Sequence, residues 1–412
     1  NKYSDPGQAV QPDSSGGYGP VEFHTGYQLP CKPGGSVAST CSSPASFGPQ
    51  TIAIVDAGGY GGSLSSDLQT YDSYYGLPAC TIANGCLRVL NQSGNTSPLP
   101  SQVSTGWSEE IALDVEMAHM VCQTCKITLV EANDDFISSL SAAENTAAGL
   151  SPVAISNSWG SDTDLSSYDN DFKHNGMAVV AATGDNGTLS GGQSWPADIP
   201  QVVAATGSTL QLNTDNSWAS ETVWSGSGGG CSVTYGAPSW QTSRADWASG
   251  GCGGSRAFGD VSADADPSTG SAIVFGSSWY LVGGTSLSTP LIASMYALAD
   301  NVPAGTAAVT LPYQNASAST LRDITSGNDC TGSGQPHCTA KAGFDVPSGL
   351  GAPKGLGLFG GSSLPAPSYN TLLSADGALD AGGALGSSAS NPAYRLAMQG
   401  DGNLVIYKSS SG

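Results

Sequence analysis

Ser286 stands in the stretch GGTSLSTP, Gly283 to Pro290, where small residues lead into Thr285 and a proline follows four residues after the serine. From Ser286 onward, Leu287, Leu291, Ile292 and Met295 recur at helical spacing. The pattern predicts a helix over 286–300 with Pro290 in its first turn, where the missing N–H would have had no partner. Ser286 would then lie at a helix N-terminus, whose dipole favours developing negative charge. A serine there is a candidate nucleophile, and it needs a base to take its proton.

Histidine is the usual partner because it titrates near neutrality. Four are available: His24 in a polar N-terminal extension, His119 on an acidic helix, His174 before Asn175 and Gly176, and His337 beside Cys338. None stands in a context that marks a catalytic base, and a surface or loop role outweighs catalysis for each. The carboxylates offer more. On the helix expected at 108–121, Glu110 and Asp114 are four residues apart and separated by about 40° of rotation, so they share a face. Glu109, Glu116 and His119 lie about 140° to 160° from Asp114 and cannot join them. For an arbitrary E-x-x-x-D the ordinary reading is a solvated acidic face. Here Ile111, Leu113, Val115 and Met117 make the helix mostly apolar, which implies partly buried carboxyls. Two buried carboxyls in contact share one proton. A glutamate near its ordinary value of about 4.3 is a poor base at neutral pH and a workable one in acid.

The oxyanion of acyl transfer also needs a donor. In AATGDNG, Asp185 ends an apolar strand, and a protonated carboxyl can donate a hydrogen bond. On local sequence alone, a plain turn residue is the simpler reading of Asp185.

The elements that must position these residues are apolar strands at 51–57, 126–132, 153–160, 177–182 and 202–209, alternating with helices at 108–121, 135–149 and 286–300. That alternation predicts an α/β fold, a doubly wound parallel sheet with helices on both faces. Functional groups in such folds gather beyond the carboxyl ends of the strands, where both Asp56 and Asp185 fall. With 412 residues there is room for a large catalytic domain and a small module. Twelve Lys and Arg against 33 Asp and Glu give a net charge of -21, which argues against nucleic acid and anionic membranes as partners. No stretch reaches the roughly 18 apolar residues of a membrane span. Ten cysteines fall into close pairs, 31/41, 80/86, 122/125, 231/252 and 330/338, which read as local disulfides of an exported protein. The competing metal cluster of His119, Cys122 and Cys125 lacks a fourth ligand.

Taken in order, EEIALDVEMA, AATGDNG, GGTSLSTP and DIT…GFD resemble the motifs of the sedolisin family, the serine-carboxyl peptidases with a subtilisin-like fold, over about 17–353. The resemblance implies an acid-active endopeptidase acting on protein or peptide substrates: Ser286 as nucleophile, Glu110 as general base, Asp114 sharing its proton and Asp185 as oxyanion acid. It also implies one structural calcium, held by the Asp323 and Asp345 carboxylates and the carbonyls of Ile324, Lys341 and Gly343. All-oxygen ligation suits that cation. A glycine often occupies the position of Lys341. By the same resemblance, Asp56 is not the catalytic acid and Trp159 either lines a subsite or is a packed aromatic. The start just before GYGPVEFH fits a secreted mature form from which a prodomain has gone, and we expect a monomer.

The expected organisation is an N-terminal extension (1–16), a catalytic domain (17–356), a Gly/Ser/Pro linker (357–370) and a β module (371–412). In that tail, QGDGNLVIY resembles the mannose motif of bulb-type lectins, with Gln399, Asp401, Asn403 and Tyr407 as sugar-binding candidates in a truncated module. A bland strand and turn is the alternative there. For the whole chain the rivals are a neutral subtilisin-like protease using histidine, and a non-catalytic glycan-binding protein on a protease scaffold.

Overall fold

A computed structural model describes residues 8–9, 17–33, 47–188, 194–330 and 337–361, together with the backbone of three short strands at 384–386, 394–398 and 404–408. The central strands are β1 (Thr51–Ala57), β2 (Leu87–Asn91), β3 (Lys126–Ala132), β4 (Ala154–Asn157), β5 (Ala178–Ala182), β6 (Val203–Leu212), β7 (Trp218–Val223) and β8 (Val261–Asp264). They form one sheet in the order β8-β6-β5-β4-β1-β3-β2, all parallel, with β7 added antiparallel to β6. The helices that matter to the site are α1 (Leu64–Tyr75), α2 (Thr105–Val121), α3 (Ile137–Gly149) and α4 (Thr285–Ala299). This is the α/β architecture, a parallel sheet with helices on both faces, expected from the alternation of strands and helices. The strand order turns at β1, which places the crevice at the carboxyl ends of β1 and its neighbours.

Strand alternation sorts the core into two layers. Ile52 and Ile54 of β1, with Ile127 and Leu129 of β3, are packed in the layer that contains α2 and α4. Ala53, Val55 and Ala57, with Val130 and Ala132, are packed on the opposite face with Leu140, Ala143 and Ala147 of α3. Slipping either strand by one residue would exchange these faces. Each large aliphatic side chain lost from the core would cost about 1.5–3 kcal/mol, so the register is firmly set.

Elements whose apolar pattern is short or polar escaped the sequence reading: α1, β2, β8 and a hairpin of β9 (Ser271–Phe275) and β10 (Ser278–Val282). Residues 357–361, expected to begin a linker, instead belong to the domain: Leu358 and Phe359 are fully buried, and the Phe359 ring packs tilted against Tyr296 with centroids 4.5 Å apart. Four of the expected disulfides are present, Cys80–Cys86, Cys122–Cys125, Cys231–Cys252 and Cys330–Cys338. Cys31 is also disulfide-bonded, while Cys41 lies outside the described residues. The bond between Cys122 and Cys125 removes the proposed metal cluster with His119. Gln399, Asp401 and Asn403 lie outside the described residues; Tyr407 falls in a strand, 404–408, that pairs antiparallel with 394–398. Among the described residues no helix is long and apolar enough to cross a membrane.

Candidate active site

Helix α2 starts where Ser104 Oγ accepts the Trp107 N–H at 3.2 Å. Every residue from Ser108 to Val121 is buried, so the helix has no solvated acidic face. Glu110 is 4% exposed and Asp114 fully buried. Asp114 Oδ1 accepts the Ser158 hydroxyl at 2.8 Å, while Oδ2 of Asp114 and Oε1 of Glu110 have no hydrogen-bond partner. Burial pushes the Glu110 carboxyl well up, and the Asp56 charge adds to it; the Ser286 hydroxyl works the other way by hydrogen bonding to the ionised form. Asp114 is likewise pushed up by burial, then by Asp56 and by Glu110. Glu109 and Glu116 are buried too, on other faces, and Glu116 Oε2 accepts the Val274 N–H at 2.9 Å.

Ser286 is the second residue of α4 and 1% exposed. Helix α4 begins at Thr285, so Pro290 lies in its second turn, beyond the first turn expected from the sequence. A residue in that place would normally donate its N–H to the carbonyl four residues back, which is that of Ser286. Proline cannot. The freed Ser286 carbonyl lies 3.3 Å from Ser158 Oγ, and Ser286 Oγ lies 3.4 Å from the Ser158 carbonyl. Ser158 thus touches both the serine and the carboxyl pair.

Asp185 follows β5 and reaches the start of α4. Its Oδ1 accepts the Thr285 N–H at 2.7 Å and the Thr285 hydroxyl at 2.9 Å. Gly284 makes this approach possible. It has φ +98°, and a Cβ there would lie 2.7 Å from Asp185 Oδ2. Burial raises the Asp185 carboxyl to about 6, against the lowering effect of the two Thr285 bonds. With Oδ1 engaged as acceptor, Oδ2 is the oxygen available to carry a proton.

The described histidine rings are engaged elsewhere or lie at the surface. The ring nitrogens of His24 lie against the carbonyls of Leu29 and Met120, 3.2 and 3.0 Å away. His119 Nε2 lies 2.8 Å from the Pro78 carbonyl and 3.3 Å from Asp72, and burial lowers its ring to about 4. His174 Nε2 is 2.8 Å from the Asp171 carbonyl, and His337 is exposed.

The expected calcium ligands come together on a second surface. Asp323 Oδ2 accepts the Gly343 N–H at 2.9 Å, and Asp345 Oδ2 accepts the Lys341 N–H at 2.8 Å. Asp345 Oδ1 takes the Ser348 N–H and hydroxyl at 2.9 and 2.7 Å, and that hydroxyl lies 3.5 Å from the Ile324 carbonyl. Two carboxylates with three carbonyls of the same turns make an oxygen-only donor set that fits a hard cation. The Lys341 ammonium donates to the Ser249 carbonyl, so the side chain is tied down at a separate carbonyl.

Among solved structures, this architecture matches a Pseudomonas sedolisin, a serine-carboxyl proteinase complexed with two molecules of pseudo-iodotyrostatin, at 25% identity and TM-score 0.67, over 83% of this chain and 96% of that one. The chain has a serine-protease fold. An S41 psychrophilic protease and a sphericase also match, each at 17% identity, with TM-scores of 0.52 and 0.51; they cover 84% and 83% of this chain and 99% of their own. At that identity they speak for the fold alone. No family model and no curated protein matches the chain.

Two residues of the candidate site were beyond sequence reasoning. Ser158 sits in SNSWG without a local signal for its role, and Thr285 reads only as a small residue before the serine. Its hydroxyl receives the Gly184 N–H at 3.0 Å as well as donating to Asp185. Trp159, one candidate subsite residue, is a core aromatic: it is 2% exposed, donates Nε1–H to the Val55 carbonyl at 2.9 Å and packs on Phe172 and Trp195.

Proposed function

We propose that the chain is an acid-acting serine-carboxyl endopeptidase of the sedolisin type. The observation that carries this reading is that the buried Glu110 carboxyl is the titratable group on which the Ser286 hydroxyl acts, whereas the described histidine rings are bonded elsewhere or lie at the surface. Ser286 Oγ would attack a peptide carbonyl while Glu110 takes its proton and Asp114 shares it. The carbonyl oxygen becomes an oxyanion that accepts a hydrogen bond from the Asp185 acid. Collapse passes the proton from Glu110 to the leaving amine and forms an acyl-enzyme. Water, deprotonated by the same carboxylate, then releases the acid and restores the serine. The oxyanion donor needs a protonated Asp185, whose carboxyl burial raises to about 6, and that requirement selects acid pH.

A structural calcium at Asp323 and Asp345 and export from the cell belong to the same proposal. The donor set supports the first and the disulfides the second. The deciding experiment is digestion of a denatured protein and a peptide library from acid to neutral pH, with the Ser286→Ala and Glu110→Gln variants alongside. Cleavage in acid that both variants lose supports the reading. Cleavage that peaks above neutrality, or survives in either variant, overturns it.

A further inference from the structure

Two buried polar side chains that the mechanism above does not use lie on the far face of the sheet, behind the strand end that leads to Ser158. Strand β4 carries Ile155 into the layer packed on α3, so alternation turns Asn157 to that side and Ser156 and Ser158 toward α2 and α4. On α3, Leu140, Ala143 and Ala147 line the same layer. Glu144 is four residues on from Leu140 and three before Ala147, so it belongs to that stripe. Glu144 and Asn157 are both fully buried. Neither oxygen of Glu144, and neither Oδ1 nor Nδ2 of Asn157, makes a hydrogen bond among the described residues. A buried polar atom left unpaired costs its full desolvation, which gives two such groups on one layer reason to pair.

The titratable groups facing Glu144 come from the segment 166–174. His174 Nε2 lies 3.9 Å from Glu144 Oε1, but its N–H is spent on the Asp171 carbonyl at 2.8 Å. Asp171 adds a like charge. Strands β1 and β3 present Ala53, Val55, Ala57, Val130 and Ala132 to this layer. Burial raises the Glu144 carboxyl to about 8; the Asn157 amide opposes the rise and Asp171 adds to it. Through the acid range Glu144 is thus a neutral acid, with one O–H to give and one oxygen to accept. The Asn157 amide has the matching set, an N–H donor and a carbonyl acceptor.

We propose that Glu144 is a positioning residue: its neutral carboxyl closes a reciprocal pair of hydrogen bonds with the Asn157 amide, and that pair fixes the end of β4. The next residue is Ser158, whose hydroxyl donates to Asp114 Oδ1 at 2.8 Å and whose carbonyl lies 3.4 Å from Ser286 Oγ. Without the pair the strand end loses its hold on the far face, and Ser158 shifts against both the carboxyl and the serine. Misplacement of that kind slows the chemical step more than it weakens substrate binding. This rests on the Glu110–Asp114–Ser286 reading above.

The test is kcat and KM on a peptide substrate in acid, with thermal melts, for the full chain and for Glu144→Gln, Glu144→Leu, Asn157→Leu, the Glu144→Leu/Asn157→Leu double variant and Ser286→Ala. Glutamine keeps a donor and an acceptor, so kcat should stay within about threefold of the parent. Either leucine alone orphans the remaining partner, and kcat should fall about tenfold or more while KM holds. Replacing both partners removes the orphan and packs the strand end with apolar groups, so the double variant should recover to within about threefold of the parent. Single leucine variants that melt lower yet keep the parent's kcat would overturn the proposal, and so would a double variant as slow as the two single losses multiplied. If the leucine variants do not fold, Glu144→Gln decides. A carboxyl raised to about 8 in the native state and near 4 in the unfolded one loses stability as pH rises between those values, and glutamine does not. The Tm of Glu144→Gln should therefore fall less over that window than the parent's; an equal fall, or a kcat down about tenfold, overturns the proposal. Activity persisting in Ser286→Ala brings down the peptidase reading and this proposal with it; a dead Ser286→Ala leaves Glu144 to be judged on its own variants.

Discussion

Asp185 Oδ1 holds the N–H of Thr285 at 2.7 Å, so the carboxyl expected to face the oxyanion also caps the helix that carries Ser286. In the proposed mechanism, capping and oxyanion binding would use different oxygens of one side chain. Asp185→Asn keeps an acceptor for Thr285 and turns an N–H toward the site. Its thermal stability should stay near the parent's, and its upper pH limb, set in the parent by a carboxyl near 6, should move to higher pH. Asp185→Ala loses both roles. We expect about 1–2 kcal/mol less stability and a kcat lower by about 10²–10³. Melting curves and pH profiles of both variants check this; an asparagine variant that loses its cap or keeps the parent's upper limb refutes it.

Substitution of Glu110, the proposed base, should separate catalysis from folding. Its carboxyl is buried against Asp114, and both are pushed up chiefly by burial. Glu110→Gln removes the base and also a like-charged neighbour. Activity should fall by about 10²–10⁴ at acid pH, while Tm at neutral pH holds or rises. A Tm loss matching the activity loss would mean that Glu110 serves the fold.

Much of this was legible because periodicity and chemistry coincide in a few places. In TIAIVDA and KITLVEA a carboxylate occupies the sixth place of a seven-residue apolar strand. The sheet register sets these two side by side, which neither strand states alone. E-x-x-x-D on one helix face and a serine at a helix start are local patterns, and local patterns survive in sequence. Ser158 joins Asp114 to Ser286 across separations of 44 and 128 residues, so only the fold reveals it. Pro290 misled for a related reason: its place in the helix depends on where α4 starts, which Asp185 sets from 100 residues away. Trp159 stayed open between a subsite residue and a packed aromatic because a sequence does not show which face of the strand end is already filled by Phe172 and Trp195.

The acid balance of the fold predicts its pH stability. Burial raises Asp56 and Glu144 to about 8, and Asp72, Glu131 and Asp329 to about 7. In the unfolded chain such carboxyls titrate near 4. Between about pH 4 and 8 the native state thus holds more protons than the unfolded one, and stability falls as pH rises through that window. The net charge of -21 acts in the same direction. Tm should be highest in mild acid and drop by several degrees toward pH 8. A maximum at or above neutrality in a calorimetric pH series would contradict it.

Calcium should act on stability more than on chemistry, because its proposed ligands do not touch Ser286 or the carboxyl pair. Asp323 meets only the Gly343 N–H among the hydrogen bonds described for its carboxylate, whereas Asp345 also anchors Lys341 and Ser348. Asp323→Asn is therefore the cleaner probe: it removes one charge from the cation while leaving an oxygen for Gly343. Chelation should lower the parent's Tm, and added calcium should restore it in proportion to ln(1 + [Ca²⁺]/Kd). In Asp323→Asn the calcium needed for the same restoration should rise by about tenfold or more, consistent with the loss of one carboxylate from an all-oxygen site. Asp345→Ala should be unstable even with calcium, since three hydrogen bonds go with it. Magnesium, which is smaller and demands octahedral geometry, should restore little. A parent whose Tm ignores both chelator and calcium would leave Asp323 and Asp345 as plain turn residues and end the calcium assignment.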